Sequence, residues 1–378
     1  MLIQLSKPSV SSAEIKSVEK VILSGYLGMG PKTKEFENNL SDYLGRQIVC
    51  TSSGTSALHI ALQAVKSFDK KRDEVLVPSL TYAASYQAIT GAGLKPISCD
   101  INPNTLNICI KEIQKKCSKK TLAIMPVHYS GDPSGINKIY SFAKKNKIRV
   151  IEDAAHAFGS TFNKKLIGSF GDIACFSFDG IKNITCGEGG AIVTNDSDII
   201  TKASDIRTLG IIGDSKRRTQ KQRSWSFDIV EQGYRYHMSD INAAIGVVQL
   251  KRFASFQKKR KSLAKNYDAI FAKSPFIKVL KRNYDEITPH IYAVRLQKRD
   301  SRTELQKYLL SKGIQTGYHY FPNHLLTFFK KKDEVLPVVE EIFPSLLTLP
   351  SHVGVTKKDV LYIAKEIDSF YRLETSTE

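Results

Sequence analysis

The run Phe176-Ser177-Phe178-Asp179-Gly180-Ile181-Lys182-Asn183-Ile184-Thr185-Cys186-Gly187-Glu188-Gly189-Gly190 places one lysine between two segments with the composition of buried strands. Residues 173–178 are apolar and aromatic, and the β-rich run 191–194 follows the glycines. Most of the 56 lysines and arginines must be solvated surface charges. An amine enclosed by buried strands differs, because loss of water disfavours its charged form and a neutral amine is a nucleophile. The run therefore predicts a reactive lysine held between two strands.

A carboxylate upstream gives this lysine a chemical partner. Asp153 ends the apolar stretch 148–152, so it follows a predicted strand directly. A lysine amine forms a Schiff base with an aldehyde, and a carboxylate keeps a pyridine nitrogen protonated. The pair Lys182 and Asp153 therefore predicts a site for pyridoxal phosphate (PLP). Taken alone, Asp153 also fits a helix cap or a turn.

Strand-like and helix-like segments alternate through the first two thirds of the chain, which predicts a mainly parallel sheet covered by helices. We expect strands at 74–77, 95–99, 122–127 and 148–152, and helices at 56–65, 84–92 and 136–145. In such sheets ligands bind beyond the carboxyl ends of the strands, where Ser79-Leu80-Thr81-Tyr82, His128-Tyr129 and Asp153 all fall.

The pattern changes after about residue 250. A basic helix at 257–265 leads to a strand at 291–296 and to helices at 302–312 and 357–371. We therefore predict a large domain at 1–250 and a smaller α/β domain at 251–378.

Composition bounds the function classes. The 378 residues suffice for two domains, and the formal net charge of +19 is spread along the chain. This charge suits anionic small molecules and is equally explained by a lysine-rich proteome. No nucleic-acid-binding module is recognisable, so we predict no nucleic-acid partner. The six cysteines form no CxxC pair, and neither a disulfide framework nor a metal site is expected. No apolar window reaches membrane-spanning length and no signal peptide is recognisable, so we predict a cytoplasmic protein without membrane insertion.

Two further segments leave alternatives open. Ser53-Gly54-Thr55 precedes a helical pattern, where it either caps the helix or binds a phosphate through backbone N–H groups. Residues 216–223 hold five basic residues in eight. They form either a solvated loop or a lid in which Arg217 and Arg218 bind substrate phosphates.

Eight motifs in order resemble those of the DegT/DnrJ/EryC1/StrS family of PLP-dependent sugar aminotransferases and cover most of the chain. They are Ser24-Gly25-Tyr26-Leu27-Gly28-Met29-Gly30-Pro31, Thr51-Ser52-Ser53-Gly54-Thr55-Ser56-Ala57-Leu58, Val77-Pro78-Ser79-Leu80-Thr81-Tyr82, Glu152-Asp153-Ala154-Ala155-His156, Gly168-Ser169-Phe170-Gly171-Asp172, the lysine run, Gly233-Tyr234-Arg235-Tyr236-His237-Met238-Ser239-Asp240 and Thr316-Gly317-Tyr318-His319-Tyr320.

The resemblance implies the aspartate-aminotransferase fold and assigns roles to single residues. Lys182 would carry PLP and shuttle a proton, with Asp153 on the ring nitrogen. The cofactor phosphate would bind at Gly54, Thr55 and Ser177, Tyr82 would stack on the ring, and His156 would lie near the 3-hydroxyl. Tyr318, His319 and Tyr320 would contact substrate. Arg235 departs from the family, which has an asparagine there that reaches the neighbouring subunit's phosphate.

The activity implied is amino transfer from L-glutamate to C3 or C4 of a nucleotide-linked keto-deoxysugar, for O-antigen, lipopolysaccharide, capsule or other glycans. Dehydratase relatives carry histidine at the lysine position, so Lys182 favours transamination. The resemblance also implies a homodimer with sites at the subunit interface. The alternatives are a PLP-dependent enzyme with a non-sugar substrate and a non-catalytic PLP-binding regulatory protein.

Overall fold

Strands and helices alternate from β1 to β5 in the computed structural model, which describes residues 2–222 and 225–375. The strands are β1 (Gln47–Thr51), β2 (Glu74–Pro78), β3 (Lys95–Cys99), β4 (Thr121–Ile124), β5 (Arg149–Asp153), β6 (Thr161–Phe162), β7 (Lys165–Leu166), β8 (Ile173–Ser177), β9 (Gly190–Thr194), β10 (Ile277–Val279), β11 (Tyr292–Leu296) and β12 (Leu346–Leu349). The helices are α1 (Ser12–Leu23), α2 (Pro31–Leu44), α3 (Gly54–Phe68), α4 (Ala83–Gly91), α5 (Ile110–Lys116), α6 (Ile136–Asn146), α7 (Ser197–Ile206), α8 (Asp214–Thr219), α9 (Asp240–Phe271), α10 (Arg302–Ser311), α11 (Pro337–Ile342) and α12 (Lys357–Thr375).

Most predicted elements are confirmed within a few residues. The strand predicted at 122–127 ends at Ile124, two residues before Pro126, which has no N–H to donate. The helix predicted at 257–265 is the middle of the 32-residue α9. Several other elements, among them α1, α2, α5, α7 and β1, were not predicted.

A seven-stranded sheet with the order β1-β9-β8-β5-β4-β2-β3 forms the centre of the large domain. The neighbours from β8 to β3 are parallel, and β9 runs antiparallel to both β8 and β1. The reversal between β8 and β9 has no crossover helix, because the lysine run returns the chain directly. The mainly parallel α/β sheet of the prediction is thus confirmed, and Lys182 lies at the carboxyl end of β8.

Both faces of the sheet are covered, as β8 shows. Ile173 and Cys175 pack with α3, α4 and α7, whereas Ala174 and Phe176 pack with α2 and α9. Successive strand residues point to opposite faces, so a strand buried on both faces is apolar throughout. This explains the continuous apolar run before Lys182.

The smaller sheet has the order β10-β11-β12 and packs with α10, α12 and the carboxyl-terminal half of α9. The amino-terminal half of α9 packs instead on α1 and α2. Ile3 forms an isolated parallel bridge with Ile314, so the first residues of the chain contact the smaller domain. The predicted boundary at 250/251 falls inside α9, and the division into 1–250 and 251–378 stays a prediction.

Asp240 joins two sequence motifs that are far apart in the chain. This buried carboxylate accepts hydrogen bonds from the backbone N–H groups of Gly30, Lys32 and Thr33, at 2.8, 3.0 and 2.9 Å. It therefore caps the start of α2 while it begins α9.

Candidate active site

A cavity of about 480 Å³ opens at the carboxyl edge of the sheet, where a parallel α/β sheet binds ligands. It is lined by residues that follow β2, β5 and β8 and by the first turn of α3. The residues of the sequence prediction that line it are Gly54, Thr55, Tyr82, Asp153, His156, Ser177, Lys182, His319 and Tyr320. We call Asp153, His156, Ser177 and Lys182 the cavity floor.

Lys182 projects from the turn between β8 and β9. Its backbone N–H donates to the carbonyl of Asp179 at 3.1 Å. The neighbouring Asn183 is buried, and its amide donates to the carbonyls of Phe158 at 3.0 Å and Thr288 at 3.3 Å, which fixes the turn. Burial lowers the pKa of the Lys182 amine, although Asp153 and Asp179 act in the opposite direction. The amine is thus shifted toward its nucleophilic form.

Asp153 is held by two hydrogen bonds from the protein. The Ser85 hydroxyl donates to Oδ2 at 2.7 Å, and the backbone N–H of Ala155 donates to Oδ1 at 3.2 Å. Thr81 Oγ1 lies 2.8 Å from the Ser85 hydroxyl and extends this hydrogen-bond network. The carboxylate is 6% exposed and faces the cavity. Its orientation is therefore set before any ligand binds.

The first turn of α3 offers an anion site. Ser53 caps the helix by accepting from the N–H of Ser56 at 3.1 Å, so the capping interpretation of this motif holds. The N–H groups of Gly54 and Thr55 belong to the first turn and have no acceptor inside the helix. A Cβ on Gly54 would lie 2.7 Å from the Ser177 Cβ, so only glycine permits this approach to β8. The N–H groups and the Ser177 hydroxyl together fit a phosphate.

His156 links the floor to the segment after α10. The N–H of Ser130 donates to its Nδ1 at 3.3 Å, and its Nε2 lies 2.8 Å from the Tyr320 hydroxyl. Its ring packs on that of His290 with centroids 4.5 Å apart. Burial, helped by Lys182 and His319, lowers the pKa of His156 well below its ordinary value. The imidazole is therefore neutral at pH 7.

Tyr82 and the segment 318–320 form the opposite wall. Tyr82 is 61% exposed, and its ring centroid lies 5.5 Å from that of Tyr320. The Tyr129 hydroxyl donates to the carbonyl of His319, and burial followed by Lys182 lowers the pKa of His319 to about 4. Tyr318 points elsewhere, since its ring stacks on the Arg302 guanidinium at 4.5 Å.

Three predicted arginines are absent from the cavity lining among the described residues: Arg217, Arg218 and Arg235. We call them the outer arginines. Arg218 pairs with Asp214 on α8, Arg217 Nη2 donates to the carbonyl of Ile212, and Arg235 is exposed. The segment of Arg235 still borders the anion site, because the N–H of Ser52 donates to the carbonyl of Tyr236 at 2.6 Å. Arg223 of the basic segment lies outside the described residues.

Several residues of the site were not predicted from the sequence. Ser85 orients Asp153, Asn183 fixes the lysine turn, and Asp179 and Glu188 line the cavity. Burial, followed by Asp179, raises the pKa of Glu188. Thr81 lies just before α4 and Ser85 in its first turn, and their hydroxyls are 2.8 Å apart. This pair of hydroxyl residues beside a predicted helix start was available from the sequence.

Within residues 2–222 and 225–375, no helix combines the length and apolarity that a membrane span requires, and no three His, Cys, Asp or Glu side chains are grouped as metal ligands would be.

Known proteins resemble this chain over nearly its whole length. The pattern of the DegT/DnrJ/EryC1/StrS aminotransferase family matches residues 8–368. The uncharacterized protein MJ1066 of Methanocaldococcus jannaschii is 34% identical over 371 residues, which are 96% of this chain and 95% of that protein.

Solved structures of aminotransferases share the fold. Helicobacter pylori PseC, an aminotransferase of pseudoaminic acid biosynthesis, superposes with a TM-score of 0.91 at 25% identity over 98% of this chain and 99% of its own. The putative sugar aminotransferase Spr1654 of Streptococcus pneumoniae in its PMP form gives 0.91 at 30% identity, with 100% of both chains covered. Its PLP form gives 0.88 at 30% identity over 97% of each chain.

Proposed function

The chain belongs to the DegT/DnrJ/EryC1/StrS aminotransferase family, and from this premise we propose that it transfers an amino group from L-glutamate to a nucleotide-linked keto-deoxysugar. The protein is a transaminase, and its cofactor is pyridoxal phosphate. The observation that carries the proposal is the cavity floor, which brings an amine of lowered pKa and an oriented carboxylate to one cavity beside an anion site.

The residues present fit the cofactor at each end. The anion site at Gly54, Thr55 and Ser177 would hold the phosphate, and Asp153 would hold the ring nitrogen. When bound, pyridoxal phosphate supplies an aldehyde that condenses with amines and a ring that accepts a carbanion's electron pair. Tyr82, exposed at the cavity wall, would cover one face of the ring.

Proton movement falls to Lys182. Its amine takes the proton from the α-carbon of the amino donor and, in the second half of the reaction, returns a proton to the sugar carbon that receives nitrogen. The lowered pKa of Lys182 favours a neutral amine that accepts a proton readily. The carboxylate of Asp153 stays fixed by Ser85 and Ala155 during both halves, so its charge need not reorient in the transition state.

Support for a sugar nucleotide comes from the neighbours and from charge. PseC is an aminotransferase of pseudoaminic acid biosynthesis, and Spr1654 is described as a putative sugar aminotransferase. The formal net charge of +19 favours an anionic diphosphate. We propose a role in O-antigen, lipopolysaccharide, capsule or other glycan synthesis. We place it in the cytoplasm, because all six cysteines are free thiols.

We also propose a homodimer. Four residues next to the outer arginines form an exposed apolar segment: Trp225, Phe227, Ile229 and Val230 are 91%, 55%, 54% and 58% exposed. Such a cluster at the surface is typical of a protein interface. A second copy seated there would approach the segment of Arg235, which borders the anion site. Trp225→Ser with Phe227→Ser should shift sedimentation toward monomer, whereas Leu361→Ser, at an exposed position on α12, should not.

The test of substrate class is a panel of dTDP-, UDP- and GDP-linked keto-sugars with L-glutamate, read by mass spectrometry. We expect one keto-sugar of the panel to give an amino sugar. Its mass should show that nitrogen has replaced the carbonyl oxygen. Turnover of oxo-acids alone would instead support a non-sugar transaminase.

A further inference from the structure

The partners of His156 fix where its hydrogen lies. The backbone N–H of Ser130 donates to Nδ1 at 3.3 Å, so Nδ1 is an acceptor and carries no hydrogen. The ring is 5% exposed, and burial keeps it neutral. A neutral imidazole has one N–H, which must therefore be on Nε2.

This tautomer determines the hydrogen bond to Tyr320. The Nε2–H donates to the Tyr320 hydroxyl oxygen, 2.8 Å away. The hydroxyl must then direct its own hydrogen to a different acceptor. Burial raises the pKa of Tyr320 well above its ordinary value, so the hydroxyl stays protonated. Tyr320 lines the cavity together with Lys182 and Asp153, and its hydrogen is available there.

We propose that Tyr320 donates this hydrogen bond to the carbonyl oxygen of the keto substrate, and that His156 is the positioning residue that sets the direction of the donor. The inference rests on the proposed function. The reacting carbon must lie within reach of the Lys182 amine, which moves its proton. His156 and His319 flank Tyr320, and both lie close enough to Lys182 for its charge to lower their pKa values.

The role assigned to Tyr320 involves no bond breaking. Its O–H polarises the carbonyl oxygen as electron density moves onto it, and the phenol remains protonated throughout. Because the oxo-acid and the keto-sugar carry their carbonyl at the same reacting position, both halves of the reaction should use Tyr320. Lys182 remains the group that accepts protons.

The first experiment reads the tautomer without any turnover. Long-range ¹H–¹⁵N spectra of the cofactor-bound protein with ¹⁵N-labelled histidine, assigned with His156→Gln, should show a hydrogen on Nε2 and none on Nδ1 at pH 7. Tyr320→Phe should leave this pattern unchanged, since Ser130 sets it. A hydrogen on Nδ1 would overturn the proposal.

The second experiment is a double-mutant cycle with single-turnover rates of both half-reactions. Tyr320→Phe should slow each by roughly 10²-fold, the effect of losing one donor to a developing oxyanion. His156→Leu should slow each by about tenfold and add little to Tyr320→Phe, because it acts through that hydroxyl. His156→Gln retains a donor and should recover most of the rate. The control Tyr362→Phe removes an exposed hydroxyl that bonds the Lys312 carbonyl and should change neither half-reaction.

Additive rate losses in the double variant would contradict the positioning role of His156. A rate for His156→Gln as low as that of His156→Leu would contradict it as well. Cofactor absorbance in each variant shows whether the cofactor is still bound. If no keto-sugar is a substrate, the proposed function fails, but the glutamate half-reaction and the tautomer still test Tyr320 and His156. If only these fail while amino sugar forms, the further inference alone is wrong.

Discussion

The cavity floor and the outer arginines differ in how much of their surroundings one chain supplies. Asp153 and Ser177 are 6% and 8% exposed, and the carboxylate already accepts two hydrogen bonds. Arg235 is exposed, and neither it nor Arg217 and Arg218 line the cavity. A site assembled within one chain is visible in that chain's fold. Arg235 and Trp225 are exposed, and under the proposed homodimer a second chain would supply their missing surroundings.

The largest test of this contrast removes the amine from the floor. Lys182→Ala should lower turnover by roughly 10⁵-fold or more, because the nucleophile and the proton carrier are one group. Borohydride reduction of the wild-type protein should attach the cofactor covalently, and peptide mapping should find the adduct on Lys182. Lys138→Ala, at an exposed position on α6, serves as the control. An adduct on any other lysine would remove Lys182 from its role.

Asp153→Asn should lower turnover by roughly 10³-fold while cofactor affinity changes little. The amide cannot hold a protonated ring nitrogen as a carboxylate does, so the loss falls on the proton-transfer transition state. Equilibrium binding of the cofactor and steady-state rates check the two halves of this statement. Near wild-type turnover of Asp153→Asn would show that Asp153 is not the carboxylate that holds the ring nitrogen.

Ser85→Ala should sharpen the account of the floor. It removes the 2.7 Å hydrogen bond to Asp153 and should lower turnover about tenfold, as expected for about 1.5 kcal/mol from a bond to a charged group. Ser85→Thr keeps the hydroxyl and should retain more activity than Ser85→Ala. Equal rates in all three proteins would show that Asp153 needs no support from Ser85.

Neutralising the basic segment tests the outer arginines as substrate ligands. Glutamine at Lys216, Arg217, Arg218, Lys221 and Arg223 should raise KM for the keto-sugar roughly tenfold, with the glutamate half-reaction unchanged. Five exposed lysines elsewhere provide the matched control: Lys111, Lys119, Lys138, Lys144 and Lys145. Damage to both half-reactions would indicate a folding defect, and an unchanged KM would restore the solvated-loop interpretation.

Mixing two inactive chains tests whether Arg235 acts across the interface. Lys182→Ala and Arg235→Ala chains that exchange in a dimer give one intact site per mixed dimer if Arg235 acts in trans. Random exchange at equal amounts should restore about a quarter of wild-type activity. Activity of Arg235→Ala chains alone would place Arg235 outside the site. If those chains are inactive and verified exchange restores no activity, Arg235 acts in cis.

The sequence predicted the floor better than its support or its surroundings. Lys182 and Asp153 were predictable because each follows a continuous apolar strand, and the parallel sheet brings such ends to one edge. Ser85 and Asn183 were missed, because their role depends on partners 68 and 105 positions away, Asp153 and Thr288. Arg217, Arg218, Arg235 and Tyr318 remain predictions, since composition shows that they suit anions or rings but not which chain presents them.

The carboxylate of Asp240 has a consequence for folding during synthesis of the chain. Gly30, the backbone of which it fixes, precedes it by 210 residues. At a synthesis rate of about 5–20 residues per second, the nascent chain waits roughly 10–40 s for the side chain that shapes the start of α2. During that interval the backbone N–H groups of Gly30, Lys32 and Thr33 lack the carboxylate that accepts their hydrogen bonds in the folded protein. The final geometry at the start of α2 therefore arises late, when the long helix that also enters the smaller domain has left the ribosome.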